Sequence, residues 1–194
     1  RAGWQRFWLV DPLDGTKEFV NRNGEFTVNI AFIDNGAPVL GVVYVPVTGV
    51  CYLAVRGQGA WKETGGCDRQ PVRVRSYHGG HATVVASRSH RGDAVDKFLA
   101  NLKAREGDYD TASLGSSLKL CRVAEGAADV YPRLGPTSEW DTAAAQCVVE
   151  SAGGRVTDLD GQPLCYNKPN ILNPWFLVTG GGGYNWHALL GHAG

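Results

Sequence analysis

The segment FWLVDPLDGTKEF, residues 7–19, sets two carboxylates, a glycine and a hydroxyl directly after an apolar strand. Asp11 and Asp14 fall at one strand end, Pro12 restrains the turn between them, and Asp14 is expected to cap a short helix. The amides of Gly15 and Thr16 then point outward as anion donors. Two hard carboxylates beside a phosphate cradle suit Mg²⁺, which takes oxygen ligands and commonly uses one or two carboxylates together with phosphate and water. The plainer reading is that both aspartates only cap turns. It leaves the concentration of chemistry in one short string unexplained.

A third carboxylate lies far along the chain. In WDTAAAQCVVESAGG, residues 140–154, Asp141 stands at a helix start, followed by an Ala-rich face and a Gly-Gly stop. Taken alone it reads equally as an acid placed to favour the helix dipole. Three further segments bring polar groups to the ends of elements. SRSHRGD at 87–93 presents Ser87, Arg88, Ser89 and His90, and His90 is able to stack on or hydrogen-bond a base, or to rest in a solvated loop. GSSLK at 115–119 is a Ser-capped helix start at which Ser116 and Ser117 favour an anion and Lys119 adds charge. ADVYPRL at 128–134 ends a strand with Arg133, which can fork onto a phosphate; plain capping and a surface arginine are the alternatives for these two.

The elements that must position these groups follow from hydrophobic periodicity. Strands are expected at 7–10, 25–33, 39–46 and 50–55, with Asp34, Asn35 and Gly36 as one turn and Pro46 to Gly49 as the next, which makes an antiparallel sheet. After a polar stretch at 63–70 the pattern changes to strands at 82–87, 128–131, 155–158 and 176–179. Helices at 94–103, at 117–127 and from about 140 alternate with them as in α/β layers. The division falls at 76–81, giving an α+β part with the antiparallel sheet over 1–78 and a smaller α/β part over 79–194.

Composition narrows the partners. Lys plus Arg equals Asp plus Glu at 19 each, so no global field exists to hold a nucleic acid polymer or an acidic membrane, and any anion must be gripped locally. Five scattered cysteines without ligand spacing read as reduced thiols. No apolar run has the length of a membrane span. A cytoplasmic location is expected, with peripheral attachment to the cytoplasmic face of the membrane left open. The chain contains no methionine and opens directly into an apolar strand, so it is expected to continue upstream. HGGH at 78–81 lacks rigid metal-binding geometry, Asp158, Asp160 and Gly161 read as a turn, and His187 and His192 have no assigned part. The sequence does not speak to oligomeric state.

WLVDPLDGTKEF resembles the DPxDGT signature of the inositol monophosphatase superfamily, and residues 140–154 resemble its WDxAA motif. The resemblance implies a layered α/β fold, an αβαβα sandwich. It further implies metal ligation by Asp11, Asp14, Asp141 and the carbonyl of Leu13, and substrate contacts from Gly15, Thr16 and Asp141. With two or three Mg²⁺ ions, a phosphate ester is expected to be hydrolysed by metal-activated water, with Asp14 and Thr16 as catalytic groups. Thr16 needs a neighbouring acid to take a proton, and in the superfamily that acid and a further glutamate ligand lie upstream of the motif. Residues 1–194 alone are therefore expected to bind metal weakly and turn over poorly. A haloacid-dehalogenase-type mechanism is set aside, because its two aspartates stand two residues apart and Asp11 and Asp14 stand three apart.

SRSH, GSSLK, VYPR and EWD are similar in order and spacing to segments of one branch, the 3′(2′),5′-bisphosphate nucleotidases. The branch implies that His90, Ser116, Lys119 and Arg133 contact adenosine and its 5′-phosphate. The expected substrate is 3′-phosphoadenosine 5′-phosphate, cleaved to AMP and phosphate within sulfate assimilation, with inhibition by lithium. An inositol or sugar monophosphatase and a catalytically silent nucleotide-binding relative are the alternatives.

Overall fold

The computed structural model describes residues 1, 3–66, 68–87 and 92–191. His90 and His192 lie outside them, as do Arg88 and Ser89.

The first half is a six-stranded antiparallel sheet in sequential order: β1 (Arg6–Asp14), β2 (Thr27–Asp34), β3 (Ala37–Val45), β4 (Val50–Val55), β5 (Gly59–Thr64) and β6 (Gln70–Pro71). A five-residue helix, α1 (Thr16–Val20), interrupts it after β1. Asn35 and Gly36 form the two-residue turn that sets Asp34 opposite Ala37, as the polar-Gly pattern predicts. β5 and β6 were not expected from the sequence. GAWKET carries its apolar residues too sparsely to show a strand period, and its pairing with β4 supplies the order.

The second half alternates β7 (Thr83–Ser87), α2 (Asp93–Glu106), β8 (Asp110–Leu114), α3 (Leu118–Ala124), β9 (Val130–Arg133), α4 (Glu139–Ser151), β10 (Arg155–Asp158) and β11 (Phe176–Thr179), ending in a 3-10 turn at Trp186–Leu189. The sheet order is β10-β11-β9-β7-β8, with β7 parallel to both β8 and β9. β8 was also missed. DTASL is small and polar, and only the crossover from β7 through α2 brings it to the sheet edge.

These elements stack in layers. The inner face of the first sheet, with Ala31, Ile33, Val43 and Ala54, packs on α3 and α4, whose other side meets Tyr131, Phe176 and Val178 of the second sheet in one continuous core. The far face of the second sheet buries Val84, Val130 and Leu177 under Phe98, Leu99 and Leu102 of α2 and under Trp186 and Leu189. On the outer face of the first sheet Trp8, Val10 and Tyr44 are exposed.

The site depends on how closely α4 approaches β3. A Cβ added at Gly41 would lie 2.3 Å from the Ala144 carbonyl oxygen and 2.8 Å from Cys147 Cβ, so the helix can rest on the strand only where that strand has no side chain. Ala144 and Cys147, one turn apart on α4, form the complementary half of this contact.

Candidate active site

β1 does not end at Val10 as expected but runs on to Asp14 through an irregularity. Asp11 pairs with Asn29 and Asp14 with Thr27, so β1 takes one residue more than β2 over this step. Residues three apart on a regular strand face opposite sides, whereas a bulge of one residue turns both to the same side. Asp11 and Asp14 thus share the inner face with the buried Thr27 and Asn29. The Leu13 amide donates to Asp11 Oδ1 at 2.9 Å and closes the bulge.

Asp14 is not the helix cap expected of it. Gly15 holds that position at φ 89, and a Cβ there would come within 3.1 Å of Glu18 Oε2 and 3.2 Å of Ser116 Cβ. Both the left-handed conformation and the close approach select glycine. Thr16 follows, exposed in the first turn of α1. Asp14 turns inward instead, and its Oδ2 accepts from Ser117 N at 2.7 Å, Ser117 Oγ at 2.7 Å, Thr27 Oγ1 at 3.2 Å and Asn29 Nδ2 at 3.2 Å.

Asp141 arrives from the other half of the molecule. It sits in the first turn of α4, where its Oδ2 accepts the Ser138 amide at 2.7 Å. The start of this helix is fastened by Glu139, almost fully buried, which accepts the amides of Asn167 at 3.0 Å and Lys168 at 2.9 Å and the Lys168 ammonium at 2.8 Å. Asn173 Nδ2 adds a bond to the Ser138 carbonyl at 2.8 Å.

One oxygen from each of Asp11, Asp14 and Asp141 lies within 4.8 Å of the others. The convergence is unfavourable without a cation, and it raises the proton affinity of two of the three carboxyls. Burial raises Asp11, and the neighbouring Asp14 carboxylate adds to this. Asp141 is pushed up to about 6, first by burial and then by Asp14 and Asp11, against the lowering effect of the Ser138 amide. A set made wholly of hard oxygens, with Asp14 Oδ2 already saturated and charge repulsion to relieve, fits a divalent cation.

Next to the triad lies a cavity of about 150 Å³ whose lining includes the carboxylates of Asp14, Glu18 and Asp141 and the cations of Lys17, Lys119 and Arg133, with Gly15, Ser116, Tyr131, Thr137 and Phe176. Lys119 is 8% exposed, its ammonium stands 5.8 Å from the centre of the Tyr131 ring, and burial lowers its pKa to about 8. Arg133 gives one Nη2 bond to the Pro136 carbonyl at 2.9 Å, while its buried Nε has no partner. The cavity therefore brings carboxylates and cations together in one lining.

The two serines of GSSLK both have partners within the protein. Neither hydroxyl is free for a substrate anion: Ser116 Oγ donates to the Glu25 carbonyl at 2.6 Å, and Ser117 Oγ is spent on Asp14. The anion that Ser117 favours is the protein's own carboxylate. Ser116, at φ 45, is held in this strained position with the help of Glu25 Oε2, which accepts the Gly115 amide at 2.7 Å. Glu25, Thr27 and Asn29 escaped the sequence reading. Their signal was present in EFTVNIAFI, where threonine and asparagine occupy the inward positions that a strand of this period gives to apolar side chains.

Elsewhere Asp158 Oδ1 accepts the amides of Asp160 and Gln162, so that segment is a turn, and His187 Nε2 rests 3.0 Å from the Asp158 carbonyl oxygen. His81 pairs with Asp110 at 3.1 Å. Among the described residues no helix is long and apolar enough to cross a membrane.

Comparison with known proteins gives this geometry its context. The 3′(2′),5′-bisphosphate nucleotidase CysQ of Salmonella typhimurium is 54% identical over 180 residues, which cover 92% of this chain and 70% of that protein. The protein of the same name from Haemophilus influenzae is 31% identical over 191 residues, covering 97% of this chain and 70% of that one. Among solved structures, CysQ from Bacteroides thetaiotaomicron superposes with a TM-score of 0.87 at 47% identity, over 93% of this chain and 72% of that one. An inositol monophosphatase from Anabaena superposes at 0.79 and 29% identity, over 96% and 74%. The model of the inositol monophosphatase family matches residues 1–183, a span that holds every carboxylate of the triad and the cavity-lining Lys119 and Arg133. With that match and these relatives, the chain belongs to the inositol monophosphatase family.

Proposed function

We propose that this chain carries the active site of a Mg²⁺-dependent phosphatase that removes the 3′-phosphate of 3′-phosphoadenosine 5′-phosphate, giving AMP and phosphate. The observation that carries the reading is that one cavity beside the carboxylate triad is lined both by Asp14 and Asp141 and by Lys119 and Arg133. A substrate with two phosphates has one for the triad and one for these cations, whereas an inositol or sugar monophosphate has only one phosphate to offer. The names of the curated relatives agree with this choice.

Asp11, Asp14, Asp141 and the Leu13 carbonyl hold two or three cations in this reading. Mg²⁺ bound there supplies charge to neutralise phosphoryl oxygens and acidity to activate water. The chain's own groups do the rest. Gly15 leaves room for the phosphoryl group beside the triad, and Thr16 orients the attacking water. Lys119 and Arg133 grip the distal 5′-phosphate by charge-assisted bonds. Ser116 contributes through its main chain, since its hydroxyl is engaged. His90 is assigned to the adenine ring. The product is a mononucleotide, and the setting proposed is sulfate assimilation in the cytoplasm.

The test is phosphate release by the intact protein from a panel containing 3′-phosphoadenosine 5′-phosphate, its 2′-phosphate isomer, 3′-AMP and inositol 1-phosphate. The bisphosphates should be the preferred substrates, and only with Mg²⁺ present. Equal or better hydrolysis of inositol 1-phosphate would overturn the assignment.

A further inference from the structure

We propose that Asn29 is a positioning residue for the cation site: with Ser117 it immobilises one oxygen of Asp14 so that the other faces the space shared with Asp11 and Asp141. The inference rests on the reading that the triad holds a divalent cation.

Asn29 lies on the inner face of β2 and is 1% exposed. Both hydrogens of its carboxamide are used, one toward Asp14 Oδ2 at 3.2 Å and one toward Ser117 Oγ at 2.8 Å. Its own oxygen is buried and has no hydrogen-bond partner. A buried orphan carbonyl is costly, and an apolar residue at this core position would avoid the cost. Reversing the amide would not help, because its oxygen would then face the Asp14 carboxylate. The amide is therefore accounted for by what its hydrogens do.

They act on the junction between the two halves of the molecule. Ser117 Oγ accepts from Asn29 and stands 2.7 Å from Asp14 Oδ2 and 2.8 Å from the carbonyl oxygen of Asp141. One hydroxyl proton serves one of these oxygens at a time. With Thr27 and the Ser117 amide, the donors at Asp14 Oδ2 occupy its lone pairs and leave Oδ1 for ligation. Partners of this kind set the direction and basicity of a ligand, and their loss characteristically costs 10–100-fold in metal affinity.

The experiment titrates Mn²⁺ into the intact protein without substrate, following free Mn²⁺ by electron paramagnetic resonance, and compares Asn29→Ala with the parent. Thermal melting of the cation-free proteins is recorded in parallel. Expected is Mn²⁺ binding weakened about 10–100-fold, with a melting temperature unchanged or raised because the orphan oxygen is gone. The Mn²⁺ concentration for half-maximal turnover should rise by the same factor, while KM for the bisphosphate at saturating Mn²⁺ stays put. An affinity within about twofold of the parent overturns the proposal. If Asn29→Ala melts lower, Thr27→Val decides, since it removes another donor to the same oxygen at nearly constant shape: weakened Mn²⁺ binding there supports the proposal, and unchanged binding overturns it. A parent that binds Mn²⁺ but releases no phosphate from the bisphosphate refutes the substrate assignment and leaves the role of Asn29 standing. A parent that binds no Mn²⁺ refutes both.

Discussion

Lys119→Met removes a charge and keeps most of the volume, so it separates what the ammonium does for the ligand from what it costs the fold. Burial lowers this lysine from its ordinary 10.5 to about 8. At 1.36 kcal/mol for each tenfold change in proton affinity, holding the charged amine in the cavity costs about 3 kcal/mol in the ligand-free protein. The folded pKa lies below the unfolded one, so this cost is fully present below about pH 8, declines as pH rises from there, and has vanished above 10.5. Lys119→Met should therefore melt several degrees higher than the parent at pH 7 and show no advantage near pH 10.5. Function moves the other way. Loss of a charge-assisted bond to the 5′-phosphate, worth roughly 1.5–3 kcal/mol, lowers kcat/KM for the bisphosphate about 10–150-fold. 3′-AMP, with no second phosphate, should lose less than threefold by the same reasoning. In the parent, KM for the bisphosphate should rise as pH increases through about 8, and that rise should be absent in the variant. Differential scanning calorimetry and phosphate release at several pH values measure all of this. Equal losses on the two substrates, or a variant less stable than the parent at pH 7, would refute the reasoning.

Two further substitutions test how the triad is held. Gly41→Ala places a Cβ 2.3 Å from the Ala144 carbonyl oxygen, so α4 must lift from β3; a stability loss of about 1–3 kcal/mol in denaturant melts is expected, with weaker Mn²⁺ binding because Asp141 moves with the helix. Asp141→Asn should make the cation-free protein more stable at pH 7 and leave it unchanged near pH 3. Its folded pKa of about 6 stands above the ordinary 3.8, so ionisation disfavours the fold at neutral pH and the penalty fades as pH falls between those values. The same variant should lose both the thermal response to Mg²⁺ and phosphate release, which melting curves with and without Mg²⁺ will show.

Much of this site could be read in the residues, and the limits of that reading have physical causes. Asp11, Asp14 and Asp141 were legible because each stands in a string dense with constraint, and Lys119 and Arg133 because one stands at the start of a helix and the other at the end of a strand, each with a charge. What remained hidden was direction. Whether Asp14 caps a helix or turns inward depends on a bulge defined only by the partner strand, and whether Ser117 meets a substrate or Asp14 depends on a neighbour in the other sheet. Asn29 was hidden differently, since one polar residue inside an apolar strand reads as tolerated until its partners are known. β8 and β5 show the same limit at the level of the fold, because pairing created strands that local composition did not announce.

The reach of α4 across to the first sheet has a thermodynamic corollary. Because the three carboxylates belong to segments that meet only when helix and sheet have docked, an ion that needs all of them has almost no affinity for chains in which that docking is undone. Occupancy then weighs directly on the conformational equilibrium, by about 2.7 kcal/mol when the free ion stands at a hundred times its dissociation constant. A divalent cation held by the triad would in this way act as a structural chaperone of the very interface it works in, and chelation would loosen the molecule between its two sheets first.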